Sequence, residues 1–138
     1  MNGVAVGASL AVDDKASSAA ASASAIAKAA AINKVSAQSG VYAKAGPNNL
    51  SGTGGMTAQA VTGTIVINGV ATDSFSTSAA STALSRKAVV EAINNKSSQT
   101  GVHAIDTESD DLGVTLVADD GRNIDVAYSG DMTAAASG

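Results

Sequence analysis

The chain lacks many of the residues on which binding and catalytic sites commonly depend. It has no cysteine, no tryptophan, one proline and only three aromatic residues, namely Tyr42, Phe75 and Tyr128. Without cysteine there can be no disulfide framework, no Cys-ligated zinc site and no thiol catalysis. Aromatic rings provide flat apolar surfaces for stacking, so their scarcity also argues against a carbohydrate-binding module.

Charged residues are sparse and scattered. Eight Lys and Arg residues stand against twelve Asp and Glu residues, which gives a formal net charge of −4. Because the basic residues are spread over the whole length, we expect no basic face for nucleic acid or for an acidic membrane.

Long apolar runs are absent as well. No run approaches the roughly 18 residues that a bilayer-spanning helix needs. The start Met1-Asn2-Gly3 lacks the charged and apolar regions of a signal peptide. We therefore expect a cytosolic protein, a protein exported by a route that needs no such peptide, or an excised fragment.

Large apolar side chains are few. Hydrophobic residues make up 45% of the 138 residues, but nearly half of them are alanine, which buries little area. The length allows one medium domain or two small ones. Each small domain would have a thin core and modest stability.

The chain contains one segment twice. Residues 31–43 and 92–104 are identical at eight of thirteen positions, with Ser39 replaced by Thr100 at a ninth. In both copies an Ala-rich run leads through Asn and Gln to a glycine, Gly40 or Gly101, which is typical of a helix stop. A short alternating stretch follows. The repeat predicts a unit of helix, glycine cap and strand.

The first half of the chain is rich in Ala, Ser and Gly. Residues 4–12 are partly alternating and β-branched, which favours a strand interrupted by Gly7. Residues 18–38 predict a helix, with a flexible low-complexity linker as the alternative. Residues 41–45 predict a strand, and the Gly- and Pro-rich residues 46–55 predict an irregular loop.

The second half has clearer periodicity. Strict alternation from Gly63 to Thr72, with Asn68-Gly69 inside it, predicts a strand and a type I′ hairpin turn. Thr77 or Ser78 is expected to cap a helix that ends near residue 98. Further strands are predicted at residues 102–105, 113–118 and 123–128, separated by acidic turns.

A helical wheel divides this second helix into two faces. The face expected to lie on a sheet contains Leu84, Ala88, Val89, Ala92 and Ile93. The face expected to point into water contains Arg86, Lys87, Glu91 and Asn94. Arg86 and Lys87 are thus interpreted as solvated residues rather than as a ligand clamp.

The order of elements predicts an α+β fold made of two related small modules, each with antiparallel strands packed against one helix. Residues 1–50 would form the first, less complete module and residues 63–129 the second. Residues 51–62 would link them, and residues 130–138 would be a truncated linker.

Candidate chemical sites are weak. His103 is the only histidine, which excludes a pair of His ligands for zinc, and no Gly-x-Ser-x-Gly elbow accompanies it. We interpret it as a solvent-facing strand residue. The Gly-rich residues 51–55 lack the Lys-Ser/Thr and the helix of a phosphate-binding loop. We predict no catalytic residue, cofactor site or metal site.

Two groups of acidic residues could offer oxygen ligands to calcium. They are Asp106, Glu108, Asp110 and Asp111, and Asp119, Asp120 and Asp125. Neither group has the spacing of an EF-hand loop. Because Asp beside Gly is common in hairpin turns, solvated acidic turns are the favoured interpretation.

The residues with clearest pattern resemble a known family. Gly63 to Gly69 (Gly-Thr-Ile-Val-Ile-Asn-Gly), Gln99 to Ala104 (Gln-Thr-Gly-Val-His-Ala) and residues 113–126 are similar to the "IN" motif region of bacterial flagellins and hook-associated proteins. The motif is named for an Ile-Asn pair, here Ile93-Asn94, and Ile32-Asn33 in the first copy. The resemblance covers residues 63–128 well and the first copy more loosely.

The resemblance implies a structural role without catalysis. Such modules form the solvent-exposed outer domain of a flagellar filament subunit, and polymerisation belongs to long terminal helices that this chain lacks. It implies an extracellular location on the flagellum and export by the flagellar secretion apparatus. The partners would be other flagellin subunits, and a host receptor or antibody could contact the surface. The isolated chain would be monomeric, and surface Ser and Thr residues could be glycosylated.

Two other classes of function remain as alternatives. The first is an adhesin-like module that binds a glycan or a host protein from a surface filament. The second is a hydrolase whose Ser-His-Asp triad would have to use His103. Saturable glycan binding would favour the first, and loss of a measured activity on His103→Ala would favour the second.

Overall fold

The computed structural model describes all residues, 1–138, and the chain divides into two compact units. Unit 1 comprises Met1–Asn48 and Asp119–Asn123, and unit 2 comprises Asn49–Ala118 and Ile124–Gly138. The predicted α+β class is confirmed, since five α-helices accompany two antiparallel sheets. The helices are α1 (Ala25–Asn33), α2 (Ser36–Ser39), α3 (Thr82–Asn94), α4 (Ser97–Thr100) and α5 (Ala134–Ser137).

Seven strands form the two sheets. They are β1 (Asn48–Ser51), β2 (Thr62–Ile67), β3 (Val70–Ala71), β4 (Phe75–Ser76), β5 (His103–Asp106), β6 (Val114–Ala118) and β7 (Val126–Gly130). One sheet has the order β1-β6-β5. In the other sheet β7 pairs along one edge of β2, and β3 and β4 pair with the two ends of its other edge.

The regular secondary structure of residues 1–47 consists only of helices, separated by irregular segments, and none of these residues lies in a strand. The predicted helix over 18–38 is confirmed for its second half, where α1 begins after Ser24, whose hydroxyl accepts the N–H of Ala27 at 3.1 Å. The strands predicted at residues 4–12 and 41–45 are wrong. An isolated strand has no partner for its backbone groups, so neither sequence pattern was sufficient to form one. The expectation of a sheet in each module is not confirmed.

Unit 1 is held together largely by polar groups. Its only buried apolar side chains are Ala27 and Ala31, whereas Asp14, Ser24 and Ser39 are buried polar residues. Asn123, brought in by the segment Asp119–Asn123, donates through its side chain to the carbonyls of Ala19 and Ala20 at 3.1 and 3.0 Å. The thin core expected from composition is therefore present in this unit.

The predicted Asn-Gly hairpin joins β2 to β3. Asn68 and Gly69 both have positive φ, 51° and 83°, as a type I′ turn requires. The Asn68 side chain also accepts the N–H of Asp125 at 2.9 Å and donates to the carbonyl of Thr100 at 3.1 Å. The turn is thus tied to two other segments of unit 2.

Helix α3 supplies the centre of the core of unit 2. Val89 and Ile93 are 2% exposed and pack with residues of both sheets, including Ile65, Ile67 and Leu116. The helix begins after Ser81, whose hydroxyl accepts the N–H of Leu84, and not after Thr77 or Ser78 as predicted. Residues 77 and 78 instead continue from β4, a strand that the sequence pattern did not reveal.

The faces predicted for α3 are wrong at two positions. Leu84 is 58% exposed and Arg86 is 5% exposed. The buried stripe of α3 runs from Ile93 to Val89, four residues earlier, and on to Arg86 and Ser85, three and four residues before Val89. Leu84 lies outside this stripe. The exposure of Lys87, Glu91 and Asn94 is confirmed.

Residues 130–138, which the sequence predicts as a truncated linker, pack against other parts of unit 2. Met132 and Ala136 are 4% and 0% exposed, and Gly138 accepts the N–H of Val114 at 3.2 Å. In the predicted linker 51–62, Thr57 donates its N–H to Ala135 at 2.7 Å. Both segments belong to unit 2, and the module boundaries stay predictions.

Candidate functional site: the repeated turn, the Arg86 cluster and the apolar cleft

The repeated segment adopts the same conformation in both copies up to its glycine. Helices α1 and α3 end at Asn33 and Asn94, and a second short helix, α2 or α4, begins after two intervening residues. The glycines that end these short helices, Gly40 and Gly101, have φ of 68° and 70° and ψ of 12° and 17°. The predicted glycine caps are therefore confirmed. The interruption between the two helices was not predicted.

The asparagine of the repeat makes the same pair of hydrogen bonds in both copies. Asn94 accepts the N–H of Ala104 at 2.7 Å and donates to its carbonyl at 3.0 Å. Asn33 accepts the N–H of Ala43 at 2.8 Å and donates to its carbonyl at 2.9 Å. The side-chain amide thus acts as a peptide group that satisfies both backbone groups of one residue. Sequence reasoning missed this role, although the asparagine is one of the identical positions.

A hydroxyl next to each glycine completes the turn. Ser39 and Thr100 are 5% and 1% exposed, and each accepts the N–H of the valine two residues later. The distances are 3.2 Å to Val41 and 3.1 Å to Val102. The Ser/Thr exchange between the copies keeps this bond, because only the hydroxyl is used.

The two copies differ beyond the turn. Residues 103–106 form β5, which pairs with β6 from His103 opposite Val117 to Asp106 opposite Val114. The corresponding residues of the first copy pair with no strand. Because β5 lies at the edge of its sheet, Asn94 occupies backbone groups of Ala104 that would otherwise be open to another strand.

Arg86 is buried and lies between two aspartates of the acidic loop. Its Nε donates to Asp106 Oδ1 at 2.7 Å, and a second guanidinium nitrogen donates to Asp110 Oδ1. Burial lowers the pKa of Arg86, but the hydrogen bonds to Asp106 and Asp110 outweigh it, so the net shift of this pKa is upward. Hydrogen bonds from Thr82 and from Arg86 lower the pKa of the Asp110 carboxyl. Burial raises this pKa, but the hydrogen bonds outweigh it.

The acidic residues considered as calcium ligands do not form one group, because several of them bind different arginines. Asp106 and Asp110 converge on Arg86, and Asp120 binds the guanidinium of Arg122 at 2.7 to 3.1 Å. The hydrogen bond from Arg122 lowers the pKa of Asp120, although burial opposes the shift. No three His, Cys, Asp or Glu side chains come together as a set of metal ligands.

Asp14 is the buried carboxylate of unit 1. Its Oδ1 accepts the N–H of Ala16 at 2.8 Å and of Ser17 at 3.0 Å. Burial raises the pKa of this carboxyl, but hydrogen bonds from the side chains of Ser17 and Ser24 and from these backbone groups outweigh it. The net result lowers the pKa of Asp14 to about 2.

His103 lies in β5 between two buried residues. Val102 and Ala104 are 0% and 4% exposed, whereas His103 is half-buried. The predicted alternation along this strand is therefore confirmed, with His103 on the side opposite to the core.

The Gly-rich residues 51–55 lie over an apolar cleft in unit 2. The cleft has a volume of about 400 Å³. Its lining residues come from both sheets, from α3, from the Gly-rich segment and from α5: Leu50, Ser51, Gly52, Thr53, Gly54, Gly55, Ile65, Val89, Ile93, Val114, Leu116, Val126, Tyr128, Ala134, Ala135, Ser137 and Gly138. The Gly-rich composition of this segment predicts an irregular loop and gives no sign of the cleft.

Comparison with known proteins gives no relative. No protein family, curated protein or solved structure matches the chain. None of the helices has the length and apolar character needed to cross a membrane.

Proposed function

We propose that the chain is a structural, solvent-exposed outer domain of a bacterial flagellar filament subunit. It contributes to the surface of the filament and carries out no catalysis. Its partners in the intact filament are other flagellin subunits, and its location is extracellular.

The observation that carries the proposal is the Ile-Asn segment and its use in the fold. The resemblance to the "IN" motif rests on Ile93-Asn94, and both residues have defined structural roles. Ile93 is 2% exposed in the core of unit 2, and Asn94 satisfies the backbone of Ala104 in β5. A motif that builds a helix-to-strand junction supports a structural module rather than a reactive site.

Antibody labelling tests the proposal. Serum raised against the 138-residue chain is applied to intact cells of the source bacterium and visualised by immunogold electron microscopy. We expect gold along the whole length of the flagellar filaments, and serum absorbed with the chain serves as the control. Labelling confined to the cell body, with bare filaments, would overturn the proposal.

A further inference from the structure

The apolar cleft of unit 2 reaches the core from the surface. It has a volume of about 400 Å³ and is partly open to solvent. Three residues at its floor, Ile65, Val89 and Ile93, are only 2% to 3% exposed and belong to the main hydrophobic cluster. Concave, mainly apolar clefts are the usual form of small-molecule sites.

Apolar walls favour an apolar occupant. The walls of this cleft are mainly aliphatic side chains and glycine backbone, and an apolar molecule that binds there releases the water in contact with them. An enclosed apolar cavity of about 150 Å³ binds benzene, and the volume of this cleft is larger.

The polar groups of the lining restrict the class of occupant. The hydroxyl of Ser51 is bonded to that of Thr115 at 2.9 Å, and the hydroxyl of Ser137 donates to the carbonyl of Thr133 at 2.9 Å. No Lys, Arg or His lines the cleft, so a carboxylate or phosphate would have no counter-charge there. We propose that the cleft binds one small, uncharged, apolar molecule, such as an alkyl or aromatic compound.

The cleft has a route of access. Leu50 and Tyr128 are 43% and 42% exposed at its edge, and Gly54 has open space around it. The irregular segment that forms this side is held at its end by backbone bonds from Met56 to Asp110 and from Thr57 to Ala135, at 2.8 and 2.7 Å. A small molecule can therefore enter the cleft from this open side, without opening of either sheet.

The proposal is tested with toluene as the probe and methyl NMR of the 138-residue chain as the measurement. We expect saturable shifts of the methyl groups of Ile65, Val89, Ile93, Val114 and Leu116, and a higher midpoint of thermal unfolding with toluene. Benzoate, a charged molecule of similar size, should cause no such shifts. An absence of saturable shifts with toluene, or equal binding of benzoate, would overturn the proposal.

Two valines provide a matched pair of variants. Val126 and Val70 pair with Ile67 from opposite sides of β2, and only Val126 lines the cleft. We expect Val126→Phe to fill the space and weaken toluene binding at least about tenfold, whereas Val70→Phe leaves it within about twofold. Should Val126→Phe fail to fold, Ala135→Phe fills the cleft from the exposed side of α5. Full toluene affinity in a folded filling variant would contradict the assignment.

This inference is independent of the filament proposal. Binding is measured on the isolated chain, so failure of toluene to bind would leave the antibody-labelling result unaffected. Bare filaments in the labelling experiment would equally leave the cleft and its ligand class unaffected.

Discussion

Asn94 shows how one side chain connects two elements of unit 2. Its amide accepts the N–H of Ala104 at 2.7 Å and donates to the carbonyl of the same residue at 3.0 Å. Ala104 is 4% exposed. Asn33 does the same for Ala43, but Ala43 is only half-buried. Because water can replace a lost bond at a half-buried site, the two asparagines are expected to differ in their contribution to stability.

Replacement of Asn94 by Ala should lower the free energy of unfolding of unit 2 by about 1–3 kcal/mol, since it leaves two buried backbone groups without partners. Urea denaturation followed by circular dichroism measures the change. Asn33→Ala should cost less. Asn95→Ala, at an exposed neighbouring position, is the matched control, and equal losses for Asn94→Ala and Asn95→Ala would contradict the role given to Asn94.

Asp110 is expected to titrate below the usual range because Thr82 and Arg86 donate to its charged form. The pKa is lower in the folded state, so this interaction stabilises the fold above the unfolded pKa. The stabilisation is lost as pH falls through the folded pKa. Carboxyl carbon NMR of the wild type and of Thr82→Val should show a higher Asp110 pKa in the variant. Arg86→Gln should raise it too, and no change in either variant would refute the assigned causes.

Asp14 gives unit 1 its own dependence on acid. Its carboxyl has a pKa lowered from 3.8 to about 2, so its contribution is complete above pH 3.8 and lost as pH falls toward 2. The protection factors of the α1 amides, which are NMR exchange rates corrected for the intrinsic pH dependence, should fall over this window. In Asp14→Asn the fall should be smaller. An identical pH profile in the variant would show that Asp14 is not the group responsible.

At the scale of elements, close backbone packing joins β2 to β7. A Cβ built on Gly63 would overlap the carbonyl oxygen of Ser129 and lie 3.0 Å from Met132 Cβ. Gly63 is opposite Gly130 in the antiparallel register. The two strands and the segment leading to α5 therefore meet at a position where no side chain fits.

Gly63→Ala should destabilise unit 2 by about 1–3 kcal/mol, because backbone atoms must shift to accommodate the methyl group. Gly54→Ala, in the same unit but with open space around it, should change stability by less than about 0.5 kcal/mol. Thermal unfolding of both variants makes the comparison. A tolerated Gly63→Ala would mean that β2 and β7 are less closely packed than the structure shows.

The elements that sequence reasoning predicted well are those with local signals. Asn68-Gly69 defined a hairpin, alternation defined β2 and β6, and Gly40 and Gly101 defined helix stops. The predictions that failed concern residues whose structure depends on partners far away in the sequence. Residues 4–12 had a strand-like pattern but no strand to pair with, and Arg86 is buried because two aspartates twenty or more residues later neutralise it.

The cleft and the hydrogen bonds between Asn94 and Ala104 could not be predicted, because each depends on how separate segments meet. Residues 51–55 have the composition of a surface loop, and nothing local indicates that they lie over Val89 and Ile93. The hydrogen bonds between Asn94 and Ala104 depend on where β5 lies relative to the end of α3. The two copies of the repeat have the same residue at this position, which pointed to Asn94, but the repeat did not indicate that Asn94 contacts Ala104.

At the scale of the whole molecule, the two units use different means of stabilisation. Unit 2 has a cluster of ten buried apolar residues shared by two sheets and α3, whereas unit 1 relies on buried polar groups around Asp14 and Ser24. Neither unit displays a long helix with a sustained heptad repeat, the kind of element that forms coiled-coil assemblies. The isolated chain is expected to stay monomeric, which analytical ultracentrifugation can check, and ordered filament growth from it would contradict the proposed division of roles.

The proposed filament role predicts that these residues are one domain of a longer flagellin, and the most direct test is an in-frame deletion of their codons from that flagellin gene, followed by electron cryomicroscopy of the flagella. On this proposal the domain is dispensable for polymerisation, so we predict filaments that still assemble but have a smaller diameter. Filaments of unchanged diameter, or no filaments despite secretion of the shortened subunit, would contradict the account.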